Sequence, residues 1–271
     1  MLIKTSTIPF STSYLPTAQA PWVHCFLNRV MRERGLRYRK AIIICPSGSY
    51  AEISERETDA VALRFLSYGF PCFVLRYSTG RKPYPTALLE AAETVATVRK
   101  NAEKWDIDPD GIFLCGFSAG GHLAASLAVH WDEYPLHERY PNGECRPNGT
   151  ILCYPIITAK PPHRAPFFLE QLLVTEDSRW YPLISTEDYV TRETPPCFIW
   201  HNSDDLNVSV MNSILYMSSL AQNSVPFEAH IFPQGGHGLS LADETSAVGE
   251  HDINPVCAQW SEFAIRWLQR M

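Results

Sequence analysis

Short apolar runs rich in β-branched and aromatic residues alternate along this chain with longer runs of helical period, which leaves few folds open. The short runs cover residues 41–45, 72–76, 111–115, 150–154, 197–201 and 227–232. Helical spacing dominates 55–68, 86–105, 212–222 and 255–269; Gly69 closes the first, and Pro255 suits the opening turn of the last. Strands of this continuous apolarity are buried on both faces, so the order implies a mostly parallel, doubly wound sheet with helices on either side.

Composition narrows the class further. The chain has 271 residues, 45% of them hydrophobic and 19% charged, with a formal charge of −6. That balance suits a core-forming globular protein and argues against nucleic acid as a partner. A basic cluster, Arg32, Arg34, Arg37, Arg39 and Lys40, reads as a solvated approach to a buried strand. No apolar run approaches the ~18 residues of a membrane span, and the N-terminal stretch lacks the apolar middle of a signal peptide. Five of the eight cysteines (Cys45, Cys72, Cys115, Cys153 and Cys197) lie in or beside strand-like runs, without metal-ligand spacing. A cytoplasmic protein with reduced thiols and no metal or organic cofactor is the expectation.

Gly116-Phe117-Ser118-Ala119-Gly120 sits between a predicted strand and a predicted helix, the setting of a nucleophile elbow. A serine hydroxyl needs a base, and the base needs an orienting acid. His237, within Gly235-Gly236-His237-Gly238 after the last short run, is better placed than His122, His130 or His201. The acid should follow the run at 197–201, where Asp204 and Asp205 stand together. Adjacent side chains point apart, so one can face the imidazole while the other serves a turn; Asp205 is preferred. The order Ser118, Asp205, His237 matches one of the known triad orders. Oxyanion donors are expected from the Ala119 amide and from the loop 46–50, through Gly48 or Ser49.

Two stretches, 131–149 and 158–194, break the alternation and are rich in proline and in aromatics, Phe167 among them. They read as a small, loop-rich cap on a single domain spanning 1–271, with Tyr50, Trp131 and Trp180 as expected substrate contacts.

From about Ala41 onward the chain resembles the α/β-hydrolase esterases of the acetyl-esterase and acetylxylan-esterase type, often labelled lipase- or sugar-hydrolase-like. The resemblance rests on Ile44-Cys45-Pro46-x-Gly48-x-Tyr50, Arg56-Glu57, Val74-Leu75-Arg76-Tyr77-Ser78, the elbow with Gly121-His122-Leu123-Ala124, His201 with Asp204-Asp205, and Phe232-Pro233-x-Gly235-Gly236-His237-Gly238. It implies an α/β-hydrolase fold, maps the acid onto Asp205 ahead of Val208, and implies hydrolysis of short acetyl-type esters, of sugars or xylo-oligosaccharides. Ser47 and Ser49 stand where the family loop has glycines, and any left-handed position there is strained. The first forty residues find little counterpart. The expected partner is a small-molecule ester, with no nucleic acid or membrane and with a homodimer among the open assemblies. Alternatives on the same scaffold are an amide or formamide hydrolase of the arylformamidase kind, a peptidase, and a non-catalytic binding protein.

Overall fold

The computed structural model describes residues 3–9, 21–28, 39–80, 84–165, 168–172 and 180–271. The strands are β1 (Ile3–Pro9), β2 (Trp22–Asn28), β3 (Arg39–Cys45), β4 (Cys72–Arg76), β5 (Ile107–Phe117), β6 (Gly149–Cys153), β7 (Cys197–Asn202) and β8 (Phe227–Phe232). They form one sheet in the order β1-β2-β4-β3-β5-β6-β7-β8. Pairing is parallel from β4 through β8, whereas β1–β2 and β2–β4 are antiparallel.

Residue alternation along the strands divides the core in two. Ile43 and Cys45 of β3, Leu114 of β5 and Ile199 of β7 face one cluster, which takes in Leu88 and Val95 of α2 (Thr86–Lys100), Leu123 of α3 (Ala119–His130) and Tyr216 of α6 (Met211–Gln222). Their neighbours Ile42, Ile44, Cys115 and Trp200 face the opposite cluster, with Phe65 of α1 (Asp59–Ser67) and Trp260 and Leu268 of α7 (Trp260–Arg270). Adjacent side chains of a strand point to opposite faces, so an unbroken apolar run is what a sheet covered on both sides requires. Two minor helices, α4 (Leu136–Arg139) and α5 (Phe168–Leu172), lie within the irregular stretches.

Two expectations need correction. The first forty residues supply two antiparallel strands at the sheet edge, which the search for continuous apolar runs passed over. In β2, Val23 and Cys25 are buried while Trp22 and His24 are only partly so, the alternation of a strand half covered. Of the basic cluster, Arg32, Arg34 and Arg37 fall outside the described residues. Arg39 fastens to the carbonyl of Trp105 at 3.0 Å, and Lys40 to that of Leu268 at 2.6 Å, so both hold β3 to neighbouring elements.

The second correction concerns residues 131–149. They connect the end of α3 to the start of β6, at the amino end of the strands, away from the carboxyl rim. Arg99, in the last turn of α2, donates to the carbonyl of Arg146 at 2.7 Å and to Asn148 Oδ1 at 3.0 Å, pinning this segment there. Of residues 158–194, 166–167 and 173–179, with Phe167, lie outside the described residues. The described part runs back along α3: His122 Nε2 donates to the Ile184 carbonyl and His130 Nε2 bonds the Leu183 carbonyl, both at 2.9 Å.

Candidate active site

Strand β5 ends at Phe117 and α3 begins at Ala119, so Ser118 carries the whole reversal. Its backbone is left-handed, with φ 50° and ψ −112°. Such a conformation costs a non-glycine residue about 1–3 kcal/mol and persists only where its surroundings fix it. Here they do: the Ser118 amide donates to the Cys153 carbonyl at 3.0 Å, and its carbonyl accepts from His122 and Ile156 at 3.0 and 3.1 Å. Gly120 lets the helix start press against the end of β3. A Cβ there would lie 2.0 Å from the Cys45 carbonyl oxygen and 2.4 Å from that of Pro46. The Ala119 amide, in the first turn of α3, is thereby brought beside the loop that follows β3.

That loop is sharply bent. Gly48 has φ 126° and leaves no room for a Cβ, which would meet the Glu52 carbonyl oxygen at 2.0 Å. Ser49 and Tyr50 follow at φ 54° and 60°, so the serine replacing a family glycine at 49 does take the strained conformation. The Ser47 amide is committed, donating to Glu57 Oε2 at 2.7 Å.

Three side chains distant in sequence converge at the carboxyl ends of the parallel strands. His237 Nε2 accepts from Ser118 Oγ at 2.9 Å, and its Nδ1–H donates to Asp205 Oδ2 at 2.6 Å. The Asp205 side chain is fully buried. Its other oxygen accepts the Asn207 and Val208 amides, each at 2.9 Å. Burial alone would push this carboxyl up. Hydrogen bonds from His201 and His237, the charge of His237 and the Val208 amide outweigh it and hold Asp205 below the usual carboxylate range. Asp204 points the other way, accepting the Gly236 and Gly235 amides at 2.9 and 3.1 Å and bracing the turn that carries His237.

The expected substrate contacts fare unevenly. Tyr50 is buried, and its hydroxyl donates to His122 Nδ1 at 2.9 Å; it supports the loop from beneath. Trp131 is not brought to the site: it stands beyond the far end of α3, about 20 Å along the axis from Ser118, under the Arg146 guanidinium. Trp180 is half-buried and packs edge-on against Tyr84 at 5.5 Å. Sequence reasoning missed Tyr154, whose ring stands edge-on to His237 at 5.0 Å. No motif marks it, since the contact exists only once β6 and the turn after β8 are side by side.

Comparison with known proteins agrees with this fold. A profile of the alpha/beta hydrolase fold matches residues 71–241, more than half of the chain. The chain belongs to the alpha/beta hydrolase fold family. Among solved alpha/beta hydrolases, the acetyl ester-xyloside bifunctional hydrolase from Caldicellulosiruptor lactoaceticus is 30% identical with a TM-score of 0.84, covering 98% of this chain and 96% of that one. The endo-1,4-beta-xylanase B of Butyrivibrio fibrisolvens is 34% identical over 76% of this chain and 33% of its own length. The acetylxylan esterase of Xylanibacter ruminicola is 31% identical over 74% of this chain and 41% of its own. This hydrolase-fold chain thus spans only a third to two-fifths of those two relatives. Among its described residues, no helix is long and apolar enough to cross a membrane.

Proposed function

We propose that this protein is a serine carboxylesterase acting on short, acetyl-type esters, of sugars or xylo-oligosaccharides, through a Ser118-His237-Asp205 triad. The observation that carries the reading is the unbroken hydrogen-bond path from Ser118 Oγ through His237 to Asp205, at 2.9 and 2.6 Å. The relatives named for acetyl esters of xylan and xylosides supply the substrate class.

Ser118 Oγ attacks the ester carbonyl while His237 Nε2 takes its proton. Asp205 holds Nδ1–H and stabilises the imidazolium. The tetrahedral oxyanion is met by the Ala119 amide and by Gly48 or Ser49; Ser47 is excluded because its amide is spent on Glu57. Each such donor is worth roughly 3–4 kcal/mol in the transition state. His237 then returns the proton to the departing alcohol. In the second half it takes a proton from water as the water oxygen attacks the acyl carbonyl, then returns that proton to Ser118 Oγ as the C–Oγ bond breaks and the acid leaves. The buried thiols of all eight cysteines fit a cytoplasmic setting, and Trp180 is the remaining aromatic candidate for a pocket wall.

Hydrolysis of acetyl and butyryl nitrophenyl esters by the wild type and Ser118→Ala tests the reading; equal rates in the two proteins sink it. A parallel panel of acetylated xylo-oligosaccharide, N-formylkynurenine and aminoacyl anilide fixes the bond cleaved, with the acetylated sugar expected to turn over fastest.

A further inference from the structure

Glu57 ends a short 3₁₀ turn (Glu55–Glu57) and is buried, with 1% of its surface exposed. Its Oε2 accepts the Ser47 amide at 2.7 Å, at the base of the oxyanion loop. Its Oε1 accepts the Tyr154 hydroxyl at 2.8 Å. The same Tyr154 oxygen accepts the amide of Ser240, three residues beyond His237, at 2.9 Å. A second clamp joins the same two segments, for Ser240 Oγ donates to the Arg56 carbonyl at 2.7 Å.

We propose that Glu57 is a charged positioning residue: its carboxylate ties the oxyanion loop to the loop bearing His237 and presents a second anion to the imidazolium that forms during turnover. This rests on the serine-esterase reading above. The donor set favours the ionised form. Both Glu57 oxygens receive hydrogens, and the Tyr154 oxygen already receives one from Ser240, so a carboxyl proton would displace an existing bond. Burial is the strongest influence and leaves this carboxyl above its ordinary value, with Ser47, Tyr154 and the charge of His237 offsetting part of the rise. The other titratable groups facing Glu57 are Tyr77, Cys153 and Tyr154, all pushed up by burial and therefore neutral. Around His237 stand Asp205, on Nδ1, and Asp204, turned away onto the Gly235 and Gly236 amides. Arg56 is paired with Asp252 at 3.1 Å.

The test uses the full chain with nitrophenyl acetate, comparing the wild type, Glu57→Gln and Tyr154→Phe. Glu57→Gln keeps the shape, removes the charge and sets an amide against the Ser47 N–H or the Tyr154 O–H. It should lower kcat about tenfold or more with KM changed less than about threefold. The acidic limb of kcat/KM should move to lower pH by roughly half a unit or more, because the imidazolium has lost a neighbouring anion. Tyr154→Phe cuts the tether and keeps the charge, so kcat should fall while the limb stays in place.

A folded Glu57→Gln with wild-type kcat, or with an unmoved acidic limb, overturns the proposal. Should that variant fail to fold, a Tyr154→Phe enzyme at wild-type kcat overturns it instead. A wild type that neither turns over the ester nor labels with a fluorophosphonate overturns the serine-esterase reading itself, a result distinct from an active enzyme indifferent to Glu57.

Discussion

His201 and His237 converge on a single oxygen of Asp205, at 3.2 and 2.6 Å. His201 Nε2 also bonds the Val208 carbonyl at 2.9 Å, and both of these partners only accept, so Nε2 carries the hydrogen. Its Nδ1 accepts from Ser213 Oγ at 2.7 Å, which fixes the ring. His201 thus holds Asp205 from behind while His237 draws on it from the front. His201→Ala should cost about 2–3 kcal/mol, the usual range for a bond to a buried charge, and lower kcat roughly tenfold. Urea unfolding and steady-state ester hydrolysis read the two effects.

The neighbouring carboxylates have separable duties. Asp205→Asn leaves His237 without an anion on Nδ1 and should lower kcat about 10⁴-fold, the scale of the corresponding change in other triads. Asp204→Asn retains one acceptor for the Gly235 and Gly236 amides, so its loss should stay within about tenfold. A reversed ranking in nitrophenyl acetate kinetics would reassign the acid.

Gly120 tolerates no side chain. The Cβ of Gly120→Ala would sit 2.0 Å from a backbone oxygen of Cys45, an atom that cannot swing aside. Overpacking against backbone should cost about 3 kcal/mol or more, visible as a lower urea midpoint. Surviving folded protein should lose kcat more than KM, because the Ala119 amide moves with the helix.

Stability should begin to fall with acid in the histidine range. Burial lowers His122 from 6.5 to about 4, and its Nδ1 lone pair already accepts the Tyr50 hydroxyl. The unfolded chain therefore takes up this proton first, and stability drops as pH falls from 6.5 towards about 4. The full effect is roughly 3 kcal/mol. His130 is lowered for the same reason and adds in the same direction. Asp205, held below the ordinary carboxylate range, keeps its contribution through that window and loses it only at lower pH. Urea midpoints between pH 7 and 4 should fall in the wild type and slope less in His122→Gln.

Much of this was legible in the chain because its signals are local. The runs at 72–76 and 227–232 match β4 and β8 end to end, since short stretches carrying aromatic and aliphatic residues between turns leave little choice. Ser118 and His237 stood out because glycines mark where backbone must bend or crowd. The edge strands β1 and β2 escaped notice because a strand half covered needs only alternation, and polar residues dilute it. Residues 131–149 were misplaced over the site because composition says that a segment is irregular, while topology decides at which end of the sheet it lies. Glu57 appeared only as part of a motif. Its partners are 10 and 97 residues away, a relation no periodicity encodes.

The contact at Gly120 has one more implication. Where the elbow helix meets the end of β3, main chain lies on main chain with no side chain between to absorb a mismatch. Nucleophile and oxyanion loop therefore cannot drift separately; a redesign of one must carry its mate along, as two faces of a single joint.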